Sequence, residues 1–209
     1  MIRLSRRSAV LAAAATLVAA AGPALAADPR PPGDMNMGNP KAPVHVVEYL
    51  SLTCPHCAHF HEAVYPAFKA KYVDTGKVYF TIRELLTAPA NVAAAGFLMA
   101  RCNGGKNYFD IVSDVFKSQS RWQSGQIKPI FLEIGAKYGI SEAQFNDCVS
   151  DEKAQGELQA RLEYAVGTDK VNGTPTFFVN GQRVAGDHVP TLEELDAAIA
   201  AAAKPGRRR

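Results

Sequence analysis

The chain has 209 residues, 47% of them hydrophobic and 21% charged, with a formal net charge of +3. The small excess of base belongs to the first 26 residues: without Arg3, Arg6 and Arg7 the lysines and arginines only equal the acids. No basic patch remains of the kind that binds nucleic acid, and the length suits one domain with a full core.

Residues 1–26 read as a cleaved export signal. Three arginines are followed by an alanine-rich apolar run, and Ala24-Leu25-Ala26 is a small-x-small cleavage motif. The run is shorter than the about 20 residues of a spanning helix, which argues against an uncleaved anchor. Ser5-Arg6-Arg7 partly matches a twin-arginine signal, so the Sec and twin-arginine routes both stay open. Export predicts a periplasmic location, where the four cysteines can hold disulfides.

Residues 27–43 are rich in Pro, Gly, Asn and Asp and read as an irregular lead-in. Residues 44–50 (VHVVEYL) are mostly apolar and β-branched, as a central strand requires. A helix starts near Pro55 and carries Cys57, Phe60, Val64 and Phe68 on one stripe. Pro66 should kink it. Residues 78–86 read as a second strand, parallel to the first through the helical crossover. Five helical segments follow, at 93–102, 108–117, 129–138, 142–149 and 152–166, the fourth opened by a Ser141/Gln144 capping box. Strand character returns at 176–179. Asn180-Gly181 then turns the chain into a strand at 182–185. A Thr191/Glu194 capping box opens the last helix. Residues 204–209 form a short basic tail.

The chemistry concentrates in Cys54-Pro55-His56-Cys57. Two thiols two residues apart at a helix start can close into a disulfide and reopen. Unpaired helix N–H groups and the peptide dipoles favour a thiolate on Cys54. Pro55 suits the first helical position, and a protonated His56 adds a nearby positive charge. A structural zinc site is disfavoured. Cys102 and Cys148 are not a second Cys-x-x-Cys, and His59 and His61 lie about 200° apart on a helix. The second key stretch is Gly173-Thr174-Pro175-Thr176. A cis bond before Pro175 would turn the Thr174 backbone toward Cys54, to pair with an extended substrate.

These two motifs, the helical block between them and the lead-in Gly38-Asn39-Pro40-Lys41-Ala42-Pro43-Val44 resemble the DsbA-type thiol:disulfide oxidoreductases of the bacterial periplasm. The resemblance covers about residues 38–203. It implies an α/β thioredoxin-like fold, with a mixed four-stranded sheet and an inserted all-helical subdomain. The corresponding parts are the signal 1–26, lead-in 27–43, first thioredoxin-like part 44–89, insertion 90–168, second part 169–203 and tail 204–209. It implies an enzyme with no cofactor beyond the Cys54–Cys57 disulfide and no metal. Its substrates are reduced, unfolded exported proteins, and a quinone-linked membrane oxidase of the DsbB type reoxidises it. Cys54 is the exposed, attacked sulfur. Cys57 is the buried leaving thiol, with Pro55 and His56 tuning the pair. Gly173, Thr174 and Pro175 bind substrate. Glu48, an acid in an apolar strand, is the buried acid that moves protons for Cys57, against the plainer reading of a solvated strand end.

Cys102 and Cys148 both sit on apolar helix faces. Two buried free thiols are one reading. In an exported protein a structural disulfide is favoured, worth roughly 4 kcal/mol in the chain-entropy model. A disulfide isomerase or reductase of the same fold is the main competing function, but residues 27–43 are too few for a dimerisation domain, which favours a monomer. A metal-handling or chaperone module is the third reading, since fold alone does not fix function.

Overall fold

The computed structural model describes residues 31–184 and 188–204; residues 1–30, where the export signal is expected, residues 185–187, with the expected strand end at Ala185, and residues 205–209 lie outside them. Five strands form one sheet in the order β1-β3-β2-β4-β5: β1 Met35–Gly38, β2 Val44–Leu50, β3 Val78–Glu84, β4 Thr176–Val179 and β5 Gln182–Val184. β2 runs parallel to β3, and the remaining pairings are antiparallel. The expected four-stranded sheet thus gains an edge strand. Met35–Gly38 pairs with β3 although its own sequence, MNMG, has no β-branched residue. Long-range pairing made this strand, not local propensity.

The alternation along β2 sorts its side chains. Val44, Val46 and Leu50 enter the main core with Phe60, Phe68, Phe80, Phe97, Phe116, Phe131 and Phe177. Glu48 shares their parity, so an acid lies on the core face. Val47 and Tyr49 face the other way, into a smaller cluster with Ala165 and Val171.

The Asn180-Gly181 turn has positive φ at both residues (46° and 79°), as a tight two-residue hairpin needs. Helix α1, Pro55–Ala63, stops at Val64. Pro66 lies in the first turn of α2, Tyr65–Phe68, and a π-turn over Lys69–Val73 completes the crossover. Pro66 has no N–H to continue α1, so the expected kink is a break. The helical block comprises α3 Ala90–Arg101, α4 Tyr108–Ser118, α5 Ile127–Lys137, α6 Glu142–Ser150 and α7 Glu152–Gly167. Both capping boxes close, Ser141 with Gln144 on α6 and Thr191 with Glu194 on α8, Leu192–Ala203.

The block is packed tightly onto the turn that follows β2. A Cβ placed on Gly96 of α3 would stand 2.7 Å from Leu52 Cδ1, so any larger residue would have to push the Leu52 side chain aside. A buried ionic joint ties the block to the sheet. Glu84 accepts from Arg101 Nε (2.6 Å), Arg161 Nε (3.0 Å) and the Tyr108 hydroxyl (3.1 Å).

Candidate active site

The turn Ser51–Thr53 carries the chain from β2 into α1. Cys54 is the N-cap, with extended backbone (φ −83°, ψ 119°), and Pro55 follows in the first turn. The Cys54 carbonyl accepts the first helical bond, from Ala58 N–H at 3.1 Å. The turn is held by hydroxyls. Thr53 Oγ1 lies 2.8 Å from Thr87 Oγ1, and Ser51 Oγ accepts from the Thr87 N–H at 3.0 Å. Gln119, just past α4, reaches in from the block. Its Nε2 donates to the Leu52 carbonyl at 2.8 Å and lies 3.4 Å from that of Cys54. Ser51, Thr53, Thr87 and Gln119 escaped the sequence reading, because short polar residues in turns carry no signature of which distant loop they will meet.

The Thr174–Pro175 peptide is cis, and so is Ala88–Pro89, which the sequence did not suggest. The loop before β4 lies against the cysteines, and the Cys54 thiol donates to the Thr174 carbonyl at 3.3 Å. Cys54 is consequently only 6% exposed, not the open sulfur the sequence suggested. What covers it is the loop at Thr174, 120 residues on. Cys57 is fully buried. Beside the pair, an open groove of about 490 Å³ is lined by His56, Gly173, Thr174, Pro175, Arg183 and His188.

The two thiols, free in this structure, differ sharply. Cys54 is pulled down from 9.0 to about 5. The largest cause is a hydrogen bond from the Cys57 thiol. The Thr174 side chain and the backbone N–H groups of Cys57 and His56 add to it against the cost of burial. The buried Thr174 hydroxyl has no partner while Cys54 is a thiol, which leaves it free to donate to the thiolate. His56 acts on Cys54 through its backbone, and its side chain is exposed. Cys57 is pushed well up, first by burial, then by its neighbour Cys54 and by the charge of Glu48.

Glu48 is fully buried, so it is no solvated strand end. Its Oε2 lies 3.0 Å from His61 Nε2, and its Oε1 has no partner. His61 stands one helical turn beyond Cys57 on α1 and stacks between Tyr65 and Phe116, with ring centroids 4.7 Å from each. The sequence reading weighed His61 only as a zinc ligand. Its i+4 spacing from Cys57, on the apolar stripe, was the available signal.

Cys102 and Cys148 are joined as a disulfide, with Cα atoms 5.9 Å apart, at the junction of α3 with α6. Among the described residues no three His, Cys, Asp or Glu side chains gather as a metal site.

Residues 30–201 match the family model described as thioredoxin. The chain belongs to the thioredoxin family. Its fold is that of the DsbA proteins. It resembles the crystal structure of α-DsbA1 from Wolbachia pipientis, with a TM-score of 0.72 and 28% identity over 82% of this chain and 92% of that one. BdbD from Bacillus subtilis shares the fold at a TM-score of 0.70 and 19% identity, over 81% of this chain and 92% of that one. A Rickettsia bellii protein provisionally named a protein-disulfide oxidoreductase is 37% identical over 150 residues, 71% of this chain and 57% of its own length. The chain thus spans little more than half of the curated relatives it matches.

Proposed function

We propose that this protein is a periplasmic dithiol oxidase, which donates a Cys54–Cys57 disulfide to newly exported proteins. The observation that carries the reading is the split between the two thiols, one pulled down to about 5 and the other pushed well up. A cysteine pair that favours one thiolate stabilises its own reduced form, and a stabilised reduced form makes the disulfide oxidising. Similarity to α-DsbA1 and to the rickettsial relative points the same way.

A substrate thiolate attacks Cys54 Sγ in the disulfide. The Cys54–Cys57 bond breaks, and its electron pair leaves on Cys57. A second substrate thiolate then attacks the substrate sulfur of the mixed disulfide and expels Cys54. Cys54 departs readily because its thiolate is held by Cys57, Thr174 and two backbone N–H groups. The cis-proline loop and its groove receive the extended substrate, with the Thr174 backbone as the pairing edge. Cys102–Cys148 takes no part in the exchange and braces the helical block. A quinone-linked membrane oxidase of the DsbB type restores the disulfide. Residues 1–26 deliver the protein to the periplasm, and among the described residues no helix is long and apolar enough to cross a membrane.

The deciding experiment is the reduction potential, from equilibration with glutathione buffers and trapping of free thiols. A value well above about −200 mV is expected of a disulfide donor. A value near that of thioredoxin, about −270 mV, would make the protein a reductase instead.

A further inference from the structure

The arginines of the described residues are not treated alike. Arg83 holds Asp34 and Asp169, Arg101 and Arg161 hold Glu84, and Arg121 holds Glu133. Arg183, on β5, has no carboxylate among the described residues; its guanidinium Nη2 donates to the Thr176 hydroxyl at 3.3 Å. Exposure does not explain the difference, because Arg121 is exposed as well. A charge on an edge strand discourages other chains from pairing there. A charge placed only for that purpose would point to solvent, and this one leans back over the sheet. Its Cα stands opposite Phe178, yet its tip reaches Thr176. Thr176 in turn donates to the Gly173 carbonyl at 2.8 Å. The guanidinium is thereby fixed at the cis-proline loop, in the wall of the groove beside the cysteines.

The rest of that groove does not answer the charge. No acid lines it among the described residues. His188, the second basic side chain there, lies 2.8 Å from Glu194, whose other oxygen accepts from the Thr191 N–H at the start of α8. His56, the third, is exposed at the start of α1. One of the Arg183 donors is used on Thr176. The planar fork that remains matches a carboxylate in shape and charge.

We propose that Arg183 makes the groove selective for clients that carry an aspartate or glutamate side chain within two residues of the reacting cysteine. The inference rests on the exchange reading above and deepens it, by naming which clients that site takes first. An extended client paired with the Thr174 backbone presents alternate side chains to the same side. The residue two positions from its cysteine therefore faces the protein as the cysteine does, about 7 Å along the strand. Thr176, which carries the guanidinium, is likewise two residues from Thr174. A carboxylate at that place meets Arg183, and a lysine there meets a like charge. Arg183 touches the client and not the reacting sulfurs, so it sets specificity and leaves the chemistry to Cys54 and Cys57.

The test is the rate at which dithiol peptides reduce the oxidised protein at pH 7 and low ionic strength. Three peptides with blocked termini differ only within two positions of the first cysteine, where they carry glutamate, glutamine or lysine. Each rate is divided by the concentration of peptide thiolate, because a neighbouring charge shifts thiol acidity. The glutamate-to-lysine ratio is then compared between proteins, which cancels what the peptides do by themselves. The wild-type ratio should exceed that of Arg183→Gln by about three- to fivefold, the upper yield of an ion pair open to solvent. Arg183→Glu should put the lysine peptide ahead. Lys77→Gln is the control. It removes an exposed cation beside Val78, which pairs with the first residue of β2, whereas the cysteines follow the last. Its ratio should match the wild type. The inference fails if Arg183→Gln keeps the wild-type ratio, or if Lys77→Gln lowers it as much, since net charge alone would then be responsible. Should no peptide reduce the wild-type disulfide, the exchange reading falls and binding still judges this one. Serine forms of the peptides are titrated while the Arg183 Nε–H signal is followed by NMR. The glutamate form must shift that signal more than the lysine form, and equal shifts overturn the inference.

Discussion

Two acids lie buried on neighbouring strands of one sheet, and the protein treats them in opposite ways. Glu84, at the end of β3, has both oxygens occupied by Arg101, Arg161 and Tyr108. Glu48, in the middle of β2, has one imidazole and a spare oxygen. Burial is nearly the same for both, at 1% and 0% exposure, so burial is not what separates them. Partners are. A carboxylate with every lone pair answered is a joint, because moving it breaks several bonds at once. A carboxylate with an unanswered oxygen costs stability, because a buried polar atom is left without a partner.

Substitution at the two positions should separate these roles. The largest effect is expected at the joint. Glu84→Gln leaves Arg101 and Arg161 without their carboxylate, and breaking such a buried pair costs about 3–5 kcal/mol. Urea denaturation should show the loss, with little change in reduction potential. A cost under about 1 kcal/mol would mean that the cluster is not a joint. Next in size is the pH dependence carried by Cys54. Its folded value lies below its unfolded value, so its ionisation stabilises the folded reduced protein. That contribution is fully present above about pH 9 and disappears as the pH falls through about 5. At pH 7 it should amount to roughly 3 kcal/mol, absent from the oxidised form, where the thiol does not exist. Denaturant melts of both forms at pH 5 and 7 read it directly, and a constant difference between the forms would contradict the Cys54 assignment. The smallest expected effect is Glu48→Gln. It removes a charge that no lysine or arginine answers, so stability should change by less than about 1 kcal/mol while exchange slows. A loss as large as that at Glu84 would erase the contrast.

Much of this was legible from the residues. The run VHVVEYL announces β2, Asn180-Gly181 announces the hairpin, and Ser141/Gln144 and Thr191/Glu194 announce two helix starts, all from local rules. Cys54-Pro55-His56-Cys57 and Thr174-Pro175 marked the two loops that the fold brings together. What escaped depends on partners distant in sequence. Met35–Gly38 is a strand only because β3 is there to pair with it. Cys54 is covered only because Thr174 arrives from 120 residues away. His61 reads as an ordinary helix residue until Glu48, on the preceding strand, is placed against it. Gln119 has no local feature that foretells its hold on the Cys54 turn.

The two outer strands of the sheet have one more consequence. β1 is four residues long and β5 three. An exposed row of unpaired N–H and C=O groups is a template on which other chains can add strands and aggregate. A protein whose proposed clients are unfolded polypeptides meets such chains continually. Edges this short offer little length for a client to zip onto, so under the proposed function a client would be held at the groove beside the cysteines alone.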